Sequence, residues 1–360
     1  MKILVRAPNW IGDQIQAYPF FHALRARYPQ AEIVSVCVSW VASIQFRTCV
    51  DRSHVLPPMK GLGAWQKFRI LENASAALRE QGPWDLGISL PNSLSAAWLI
   101  YRSGCASRRG YALEGRGIML NDARNWRLAQ GKRRFLTYLD LAAAKGEPSS
   151  GPGDLFLQTS ENAQPIRGQA FDAVAEWHPD ETLEIAAEDY WVLAPGAKDE
   201  NRQWPLAYFR VLAQKIAAAT GMRGYIVGSA AEIPLARQMC ADHATKLVDK
   251  CGQVALPGLW KIFREARFCV ANDSGLAHFS ALMGCPTFIP WGAGDPRHTM
   301  PHGPGHVSLL LNPVTAQCWP CEQNDCTQPP DAQLQCITGV LPDAVYHEIR
   351  KTVRGLFRDG

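Results

Sequence analysis

The feature that most constrains the fold is a repeated alternation of short, β-rich apolar runs with helical patterns along the 360 residues. Such alternation is typical of parallel α/β layers, because parallel strands are joined by crossovers that are usually helices. In the first half, the predicted strands are residues 2–6, 32–38 and 85–90. The apolar fraction of 47% and the charged fraction of 19% exclude a disordered chain.

The alternation restarts in the second half, after a polar stretch at 146–180 that Gly and Pro interrupt. Predicted strands are 190–194, 225–227, 268–271, 287–290 and 307–311, and predicted helices are 205–219, 232–243, 275–283 and 342–357. We therefore expect two Rossmann-like domains, 1–180 and 181–340, followed by a C-terminal helix at 341–360. Ligands of such folds bind at the carboxyl ends of the strands.

Nothing in the sequence predicts a membrane span or a secretion signal. No window approaches the roughly 20 apolar residues that a spanning helix needs. The apolar run at the N-terminus is too short for a signal peptide and lacks a small-residue cleavage site. The 11 cysteines are an odd number in a long chain, which disfavours a secreted disulfide framework. We expect a cytoplasmic protein.

Positive charge is concentrated in the first part of the chain. Residues 1–150 hold 20 Lys and Arg against 10 Asp and Glu, whereas the remaining 210 residues hold 17 against 23. Nine of the basic residues lie between 102 and 134, together with two acidic residues, Glu114 and Asp122. Such a cluster attracts phosphate, nucleic acid or an anionic membrane surface. A solvated basic face explains the cluster equally well.

The first candidate for chemistry follows the first predicted strand, in Pro8-Asn9-Trp10-Ile11-Gly12-Asp13. Gly12 permits a close backbone turn, and we expect Asp13 at or next to the N-cap of the helix that follows. A carboxylate there either caps the helix or serves as a general base at the carboxyl edge of the sheet. No strand leads into a dinucleotide fingerprint or a P-loop, which disfavours a nicotinamide dehydrogenase and a P-loop kinase.

Three loops in the second half share the pattern of a strand, a polar loop and a helix. They are Pro195-Gly196-Ala197-Lys198 with Arg202, Gly228-Ser229 with Glu232, and Asn272-Asp273-Ser274-Gly275-Leu276-Ala277-His278. Cations and the N–H groups at a helix N-terminus bind phosphate, and the carboxylates of Glu232 and Asp273 can accept hydrogen bonds from sugar hydroxyls. Three such loops at strand ends favour a nucleotide-sugar site.

A cysteine constellation lies near the C-terminus, with four of the 11 cysteines within 19 residues: Cys318, Cys321, Cys326 and Cys336. Four thiolates at short loop spacings can close a tetrahedral zinc site. The spacing is not that of a regular zinc ribbon. A structural zinc ion, free thiols and a redox pair are therefore the interpretations that stay open.

Seven stretches spread over nearly the whole chain carry a family resemblance. They are Trp10-Ile11-Gly12-Asp13, Leu90-Pro91-Asn92-Ser93, Arg109-Gly110-Tyr111, Leu120-Asn121-Asp122, Pro195-Gly196-Ala197, Arg202-Gln203-Trp204-Pro205 and the block 272–278. These stretches resemble the ADP-heptose lipopolysaccharide heptosyltransferases, glycosyltransferase family 9. The second and fourth stretches are most similar to the heptosyltransferase II branch, which adds the second inner-core heptose.

The resemblance implies a GT-B architecture, in which two Rossmann-like domains face a central crevice. It implies an inverting transfer that needs no metal or other cofactor, with ADP-L-glycero-D-manno-heptose bound by the C-terminal domain. The acceptor implied is a lipid A–Kdo–heptose, held by the N-terminal domain at the inner leaflet of the inner membrane. A cytoplasmic enzyme that binds this surface peripherally and does not bind nucleic acid fits that picture.

The resemblance also assigns residue roles. Asp13 matches the catalytic base. Arg202 matches the usual diphosphate-binding Lys, Glu232 the ribose-binding acid, and Asp273 the residue that contacts heptose. The other positions implied in the donor site are Lys198, Ser274, Gly275 and His278, and those implied for the acceptor are Asn92, Arg109 and Arg116.

Two departures from the family pattern are Arg202, where a bidentate fork replaces a point charge, and Lys198, where small hydroxyl residues are common in relatives.

One alternative function is a family 9 transferase with another core acceptor or another sugar. The other is a non-catalytic protein that binds anions or nucleic acid. The cations are not interleaved with stacking aromatics and no RNA-binding motif occurs, which disfavours the nucleic-acid alternative.

Overall fold

Two six-stranded parallel sheets organise the part of the chain that the computed structural model describes, which comprises residues 1–146, 171–177, 179, 185, 188–312, 318–321, 323–353 and 355–357. Contacts divide these residues into two compact units, one with residues 1–146 and 172–177 and the other with the remaining described residues. Most of the junction predicted at 146–180, including the boundary at residue 180, lies outside the described residues. The domain bounds therefore stay predictions.

The first unit contains a sheet whose strand order, β3-β2-β1-β4-β5-β6, is that of the Rossmann fold. Neighbouring strands are parallel throughout, and Ile3 of the central strand pairs with Ile33 on one side and Leu86 on the other. The strands are β1 (Lys2–Arg6), β2 (Glu32–Val38), β3 (Arg52–Leu56), β4 (Leu86–Ser89), β5 (Ser107–Ala112) and β6 (Asp122–Asn125).

The helices of this unit lie between and after its strands. They are α1 (Ile11–Gln16), α2 (Tyr18–Arg27), α3 (Ala64–Glu80), α4 (Leu94–Arg102), α5 (Trp126–Ala129), α6 (Arg134–Leu139) and α7 (Ala173–Trp177), with 3₁₀ turns at Ser39–Ile44 and Arg116–Met119. Helix α4 begins where it does because the Ser93 side chain accepts a hydrogen bond from the N–H of Ala96 and so caps the first turn.

The second unit repeats the same strand order in its own sheet, β12-β11-β10-β7-β8-β9, again with parallel neighbours. Strand β7 is fully buried, as expected for the centre of a sheet that has helices on both faces. The strands are β7 (Tyr190–Ala194), β8 (Arg223–Ile226), β9 (Leu247–Asp249), β10 (Cys269–Ala271), β11 (Thr287–Pro290) and β12 (Val307–Leu310).

The helices of the second unit are α8 (Leu206–Thr220), α9 (Ile233–Cys240), α10 (Leu259–Glu265), α11 (Gly275–Leu282), α12 (Pro296–Thr299), α13 (Gln335–Thr338) and α14 (Pro342–Thr352), with 3₁₀ turns at Glu200–Arg202, Ala230–Glu232, His243–Thr245 and Leu256–Gly258. Helix α14 buries Val345 and Ile349 in the same core as Trp191 and Phe268. The C-terminal helix therefore completes the hydrophobic core of the second unit.

The predicted α/β architecture is confirmed, and every strand predicted from the sequence forms. Four further strands, β3, β5, β6 and β9, were not predicted from the sequence. Strands β5 and β6 run through the basic cluster, where charged residues hide the apolar signal. No helix in the described ranges has the length and apolarity that crossing a bilayer requires.

Candidate functional site

A cavity of about 210 Å³ lies in the first unit between the loops that follow β1 and β4. These two strands are neighbours in the sheet and form its topological switch point, where Rossmann-like folds bind ligands. The lining residues are Pro8, Asn9, Trp10, Asp13, Leu90, Pro91, Asn92, Ser93, Tyr111, Trp126, Arg134, Thr137 and Tyr138. The structure thus brings together Asp13 and Asn92, two residues that the sequence analysis singled out.

Asp13 is the third residue of α1, and the N-cap is Trp10. The expectation that Asp13 lies at or next to the N-cap was wrong, because the backbone already turns helical at Ile11. The Asp13 carboxylate is about one quarter exposed and lies 4.0 Å from Nε of Arg134. Burial, and then the negative charge of Asp13, raise the pKa of the Tyr138 hydroxyl beside it. A partly exposed carboxylate on a cavity wall can accept a proton from a bound hydroxyl group.

Two buried arginines shape the walls of this cavity. Arg6, the last residue of β1, donates to the carbonyl oxygen of Val36 and to the Asn9 side chain, and burial lowers its pKa to about 10. Arg116 donates to the carbonyl oxygen of Pro91 at 2.9 Å and to the Asn92 side chain, and burial likewise lowers its pKa to about 10. Arg116 therefore positions the Asn92 loop from beneath. Arg6 was not predicted as a site residue. The feature that could have indicated it is a charged side chain at the end of a buried, apolar strand.

The basic cluster at 102–134 is largely bound to the protein itself. Arg108 donates to the carbonyl oxygens of Met119 and Cys105, and Arg109, which is 5% exposed, pairs with Asp122 at 2.6 Å. Arg124 donates to the carbonyl oxygen of Ala143. These guanidinium groups hold β5 and β6 to each other and to neighbouring loops. Arg109 and Arg116, expected at the acceptor, are buried and are not among the residues that line the cavity.

In the second unit, three of the predicted donor residues, Arg202, Glu232 and Asp273, lie along a series of contacts at the carboxyl ends of β7, β8 and β10. Asn272 links the two strand ends, because its side chain donates to the carbonyl oxygen of Pro195 at 2.6 Å and accepts from the N–H of Trp204 at 2.9 Å. The next residue, Asp273, accepts a hydrogen bond from Arg202 at 2.9 Å. Lys198 is exposed on the loop that follows Pro195. These strands form the switch point of the second sheet.

Glu232 lies against this series through two glycines. A Cβ atom at Gly196 would come within 1.4 Å of Oε1 of Glu232, and one at Gly228 within 2.7 Å of Oε2. The same carboxylate accepts a hydrogen bond from the Ser229 hydroxyl at 2.9 Å. Both positions therefore require glycine, because only a residue without a Cβ atom lets the Glu232 carboxylate contact the backbone at the ends of β7 and β8. The Ser229 hydroxyl and the close approach of the two glycines fix the orientation of the Glu232 carboxylate.

Helix α11 begins directly after Asp273, with Ser274 at its N-cap. The cap has no side-chain hydrogen bond, and the Ser274 hydroxyl oxygen is buried without a partner among the described residues. Gly275 opens the helix and His278 is buried in its first turns. Backbone N–H groups at such an end can bind an anion, since the helix dipole favours negative charge there.

The four C-terminal cysteines line one cavity of about 300 Å³, together with Asn201 and Ala293. Burial and the charges of Cys326 and Cys318 raise the pKa of the Cys336 thiol. Among the described residues, the side chains that bring three possible metal-ligand atoms within 4.8 Å of one another are those of His22, Cys49 and Glu176. No three of the four cavity thiols lie that close together. The thiols share a cavity wall without forming a closed ligand sphere, so the zinc site stays a prediction.

Comparisons with known proteins agree with this arrangement. The family model for glycosyltransferase family 9 (heptosyltransferase) matches residues 74–330. Lipooligosaccharide heptosyltransferase 2 of Haemophilus ducreyi is 26% identical over 86% of this chain and 89% of its own length. The structure of Escherichia coli ADP-heptose lipopolysaccharide heptosyltransferase II superposes with a TM-score of 0.72 at 21% identity, covering 98% of each chain. The E. coli heptosyltransferase WaaC with ADP gives a TM-score of 0.69 at 18% identity, covering 98% of this chain and 99% of that one.

Two Rossmann-like units, each with polar loops at the switch point of its sheet, form the GT-B architecture of the heptosyltransferase structures. The match of the family model extends over more than half of the chain. The chain belongs to glycosyltransferase family 9, the heptosyltransferases.

Proposed function

We propose that this enzyme transfers heptose from ADP-L-glycero-D-manno-heptose to a lipid A–Kdo–heptose acceptor, adding the second heptose of the lipopolysaccharide inner core. The relatives support this choice, because the Haemophilus protein is a heptosyltransferase 2 and the E. coli structure is heptosyltransferase II. Because that acceptor is lipid-linked, the proposal places the enzyme peripherally at the cytoplasmic face of the inner membrane.

The observation that carries the proposal is the continuous series of contacts from Glu232 through Gly196 and Asn272 to Asp273 and Arg202. An ADP-sugar needs a ribose ligand, a diphosphate ligand and a sugar ligand in sequence along an extended molecule. Glu232 suits the ribose, Arg202 the diphosphate and Asp273 the heptose. The N–H groups of α11 add partial positive charge beside the diphosphate, and Lys198 supplies a second cation on the neighbouring loop.

The chemistry follows from these groups. The acceptor oxygen forms a bond to the anomeric carbon on the face opposite ADP, its proton passes to the Asp13 carboxylate, and the bond from the anomeric carbon to the diphosphate oxygen breaks. ADP leaves with the bonding electrons, so the configuration inverts. Fixed positive groups at the diphosphate stabilise the developing charge without a metal ion. Asp13 contributes by removing the proton as the nucleophile attacks.

The test is transfer to defined acceptors. Purified protein is incubated with ADP-heptose and either a Kdo-terminated or a heptose-terminated truncated core, and the products are weighed by mass spectrometry. We expect the mass of one heptose to be added to the heptose-terminated acceptor and not to the Kdo-terminated one. Transfer to the Kdo-terminated acceptor alone would make the enzyme a first-heptose transferase. No transfer to either acceptor would leave the family assignment intact and exclude this substrate pair.

A further inference from the structure

Four aromatic side chains on α3 and α4 form a continuous surface on the first unit, which we call the aromatic ladder: Trp65, Phe68, Trp98 and Tyr101. Ring centroids of successive members lie 5.7, 6.0 and 6.1 Å apart. Trp65 is 69% exposed, Phe68 39% and Tyr101 45%, whereas Trp98 is partly buried. Single exposed apolar side chains are ordinary, but four large rings in contact across two helices form a patch that indicates an interaction surface.

The first turns of α3 extend away from the unit's core. Residues 64–69 are all exposed, and the buried positions of this helix, Ala74, Ser75 and Leu78, lie in its second half. Trp65 and Phe68 therefore contribute little to the hydrophobic core. Their exposure to water also costs free energy. Rings placed this way are stabilised when a partner takes them out of water.

The charge around the aromatic ladder is positive. Lys60, Lys67 and Arg69 are exposed, and residues 52–71 contain no acidic residue. Glu72 lies between the two helices, and its carboxylate accepts hydrogen bonds from Arg102 at 2.8 Å and from the indole N–H of Trp98 at 2.6 Å. The guanidinium of Arg102 lies 5.7 Å from the ring centre of Trp98, and that of Arg108 lies 5.5 Å from the ring centre of Tyr101.

We propose that the aromatic ladder docks the enzyme on an anionic phospholipid surface. Indole and phenol rings prefer the headgroup region of a bilayer, and flanking Lys and Arg side chains bind the lipid phosphates. Amphipathic helices that lie on membranes combine the same two features, aromatic residues on one face and cations beside them. The positive charge favours an anionic lipid surface over a neutral or basic apolar partner.

The position of α4 connects this surface to the candidate acceptor site. The helix starts at Leu94, directly after Asn92 and Ser93 of the cavity wall, and Leu94 is 52% exposed. Leu94, Trp98 and Tyr101 are spaced four and three residues apart, so they share one face of the helix over roughly 10 Å of its length. A bilayer bound to this face brings its headgroups close to the cavity. This part of the inference rests on the proposed lipid-linked acceptor.

The test is partition of the full chain onto vesicles, without substrate, measured by co-sedimentation. The vesicles contain phosphatidylethanolamine with about one-third phosphatidylglycerol, and phosphatidylcholine vesicles serve as the neutral comparison. We expect the wild type to bind the anionic vesicles and the double variant Trp65→Ser/Phe68→Ser to bind them at least about tenfold more weakly. Val211→Ser is the matched control, since Val211 is as exposed as Phe68, at 39%, but lies in the second unit. Equal binding by the double variant, or equal binding to both vesicle types, would overturn the proposal.

Two further measurements separate this inference from the proposed function. The double variant should transfer heptose to a soluble truncated acceptor at the wild-type rate, and should lose rate only on an acceptor embedded in anionic vesicles. Loss of both activities together would contradict a docking role. Sedimentation velocity tests the alternative occupant of this surface, a second copy of the chain. If the wild type self-associates but does not bind vesicles, and the double variant no longer self-associates, the aromatic ladder is an interface between copies of the chain.

Discussion

Arg202 and Asp273 are joined by a hydrogen bond of 2.9 Å, from Nη1 of the guanidinium to a carboxylate that is almost fully buried. The pair fixes a cation at the end of β10, beside the first turn of α11. Gly294 lies over the pair, and a Cβ atom there would be 3.6 Å from Oδ2 of Asp273. Arg202 thus has one part of its guanidinium anchored by Asp273, which orients the rest of the group.

Replacing Arg202 with Ala should weaken ADP binding by about 1–3 kcal/mol, the range of a charge-assisted hydrogen bond. Calorimetric titration with ADP measures the change. Arg297→Ala is the matched control, since Arg297 is also paired with an aspartate in the second unit but its side chain is mostly exposed. Unchanged ADP affinity in the Arg202 variant would remove this residue from the donor site.

Replacing Gly196 with Ala should reduce ADP affinity about tenfold or more, because the added methyl group collides with the Glu232 carboxylate and displaces it. Gly63→Ala provides the comparison, since the nearest atom to a Cβ there is 3.7 Å away. Titration with ADP and with AMP checks this mechanism. Because both nucleotides contain the ribose, displacement of Glu232 should weaken the binding of both. A variant that folds and binds both nucleotides normally would show that Glu232 does not contact the ribose.

Arg116 should be needed for the stability of the first unit. Its guanidinium donates to the carbonyl oxygens of Tyr111 and Pro91 and to Asn92, and a Lys side chain cannot reach all three. We expect Arg116→Lys to lower the free energy of unfolding of this unit by about 1–3 kcal/mol, measured in urea. Arg127→Lys, at an exposed position, should leave it unchanged. Equal midpoints for both variants would argue against a positioning role for Arg116.

The cysteine cavity makes a prediction about metal content. If Cys318, Cys321, Cys326 and Cys336 close around a structural zinc ion, the purified protein should carry about one equivalent, and a chelator should lower its melting temperature. The replacement Cys326→Ser should have the same effect, whereas Cys240→Ser, at a partly buried thiol outside the cavity, should not. If the protein is metal-free and the chelator does not change its melting temperature, the zinc interpretation is excluded and free thiols or a redox pair remain.

Much of the fold was predictable from the sequence because most strands of a parallel sheet are continuous apolar runs. Strands β5 and β6, at one side of the sheet, were not predictable in this way, since Arg108, Arg109 and Asp122 occupy them. Their charges are neutralised by backbone carbonyls and by one another only after the chain has folded. For the same reason, the basic cluster looked like a solvated or ligand-binding surface in the sequence.

The candidate site was predictable where a motif fixes local geometry, and less so where tertiary contacts decide. Asp13 and Asn92 follow neighbouring strands, so their meeting at one cavity follows from the topology. Arg116 was expected to face the acceptor, but its position beneath the Asn92 loop depends on packing that spacing does not reveal. The contact of Glu232 with Gly196 joins residues 36 positions apart and likewise requires the folded sheet.

The most direct test of the proposed mechanism is the turnover of Asp13→Asn. Asparagine keeps the size of the side chain, and the N-cap of α1 is Trp10, so the variant should lose at most about 1 kcal/mol of folding free energy. If Asp13 removes the proton from the acceptor, kcat should fall by about 10²–10⁴, while ADP affinity, measured by calorimetry, stays the same. A folded variant that retains more than about a tenth of wild-type turnover would contradict the assignment of Asp13 as the base.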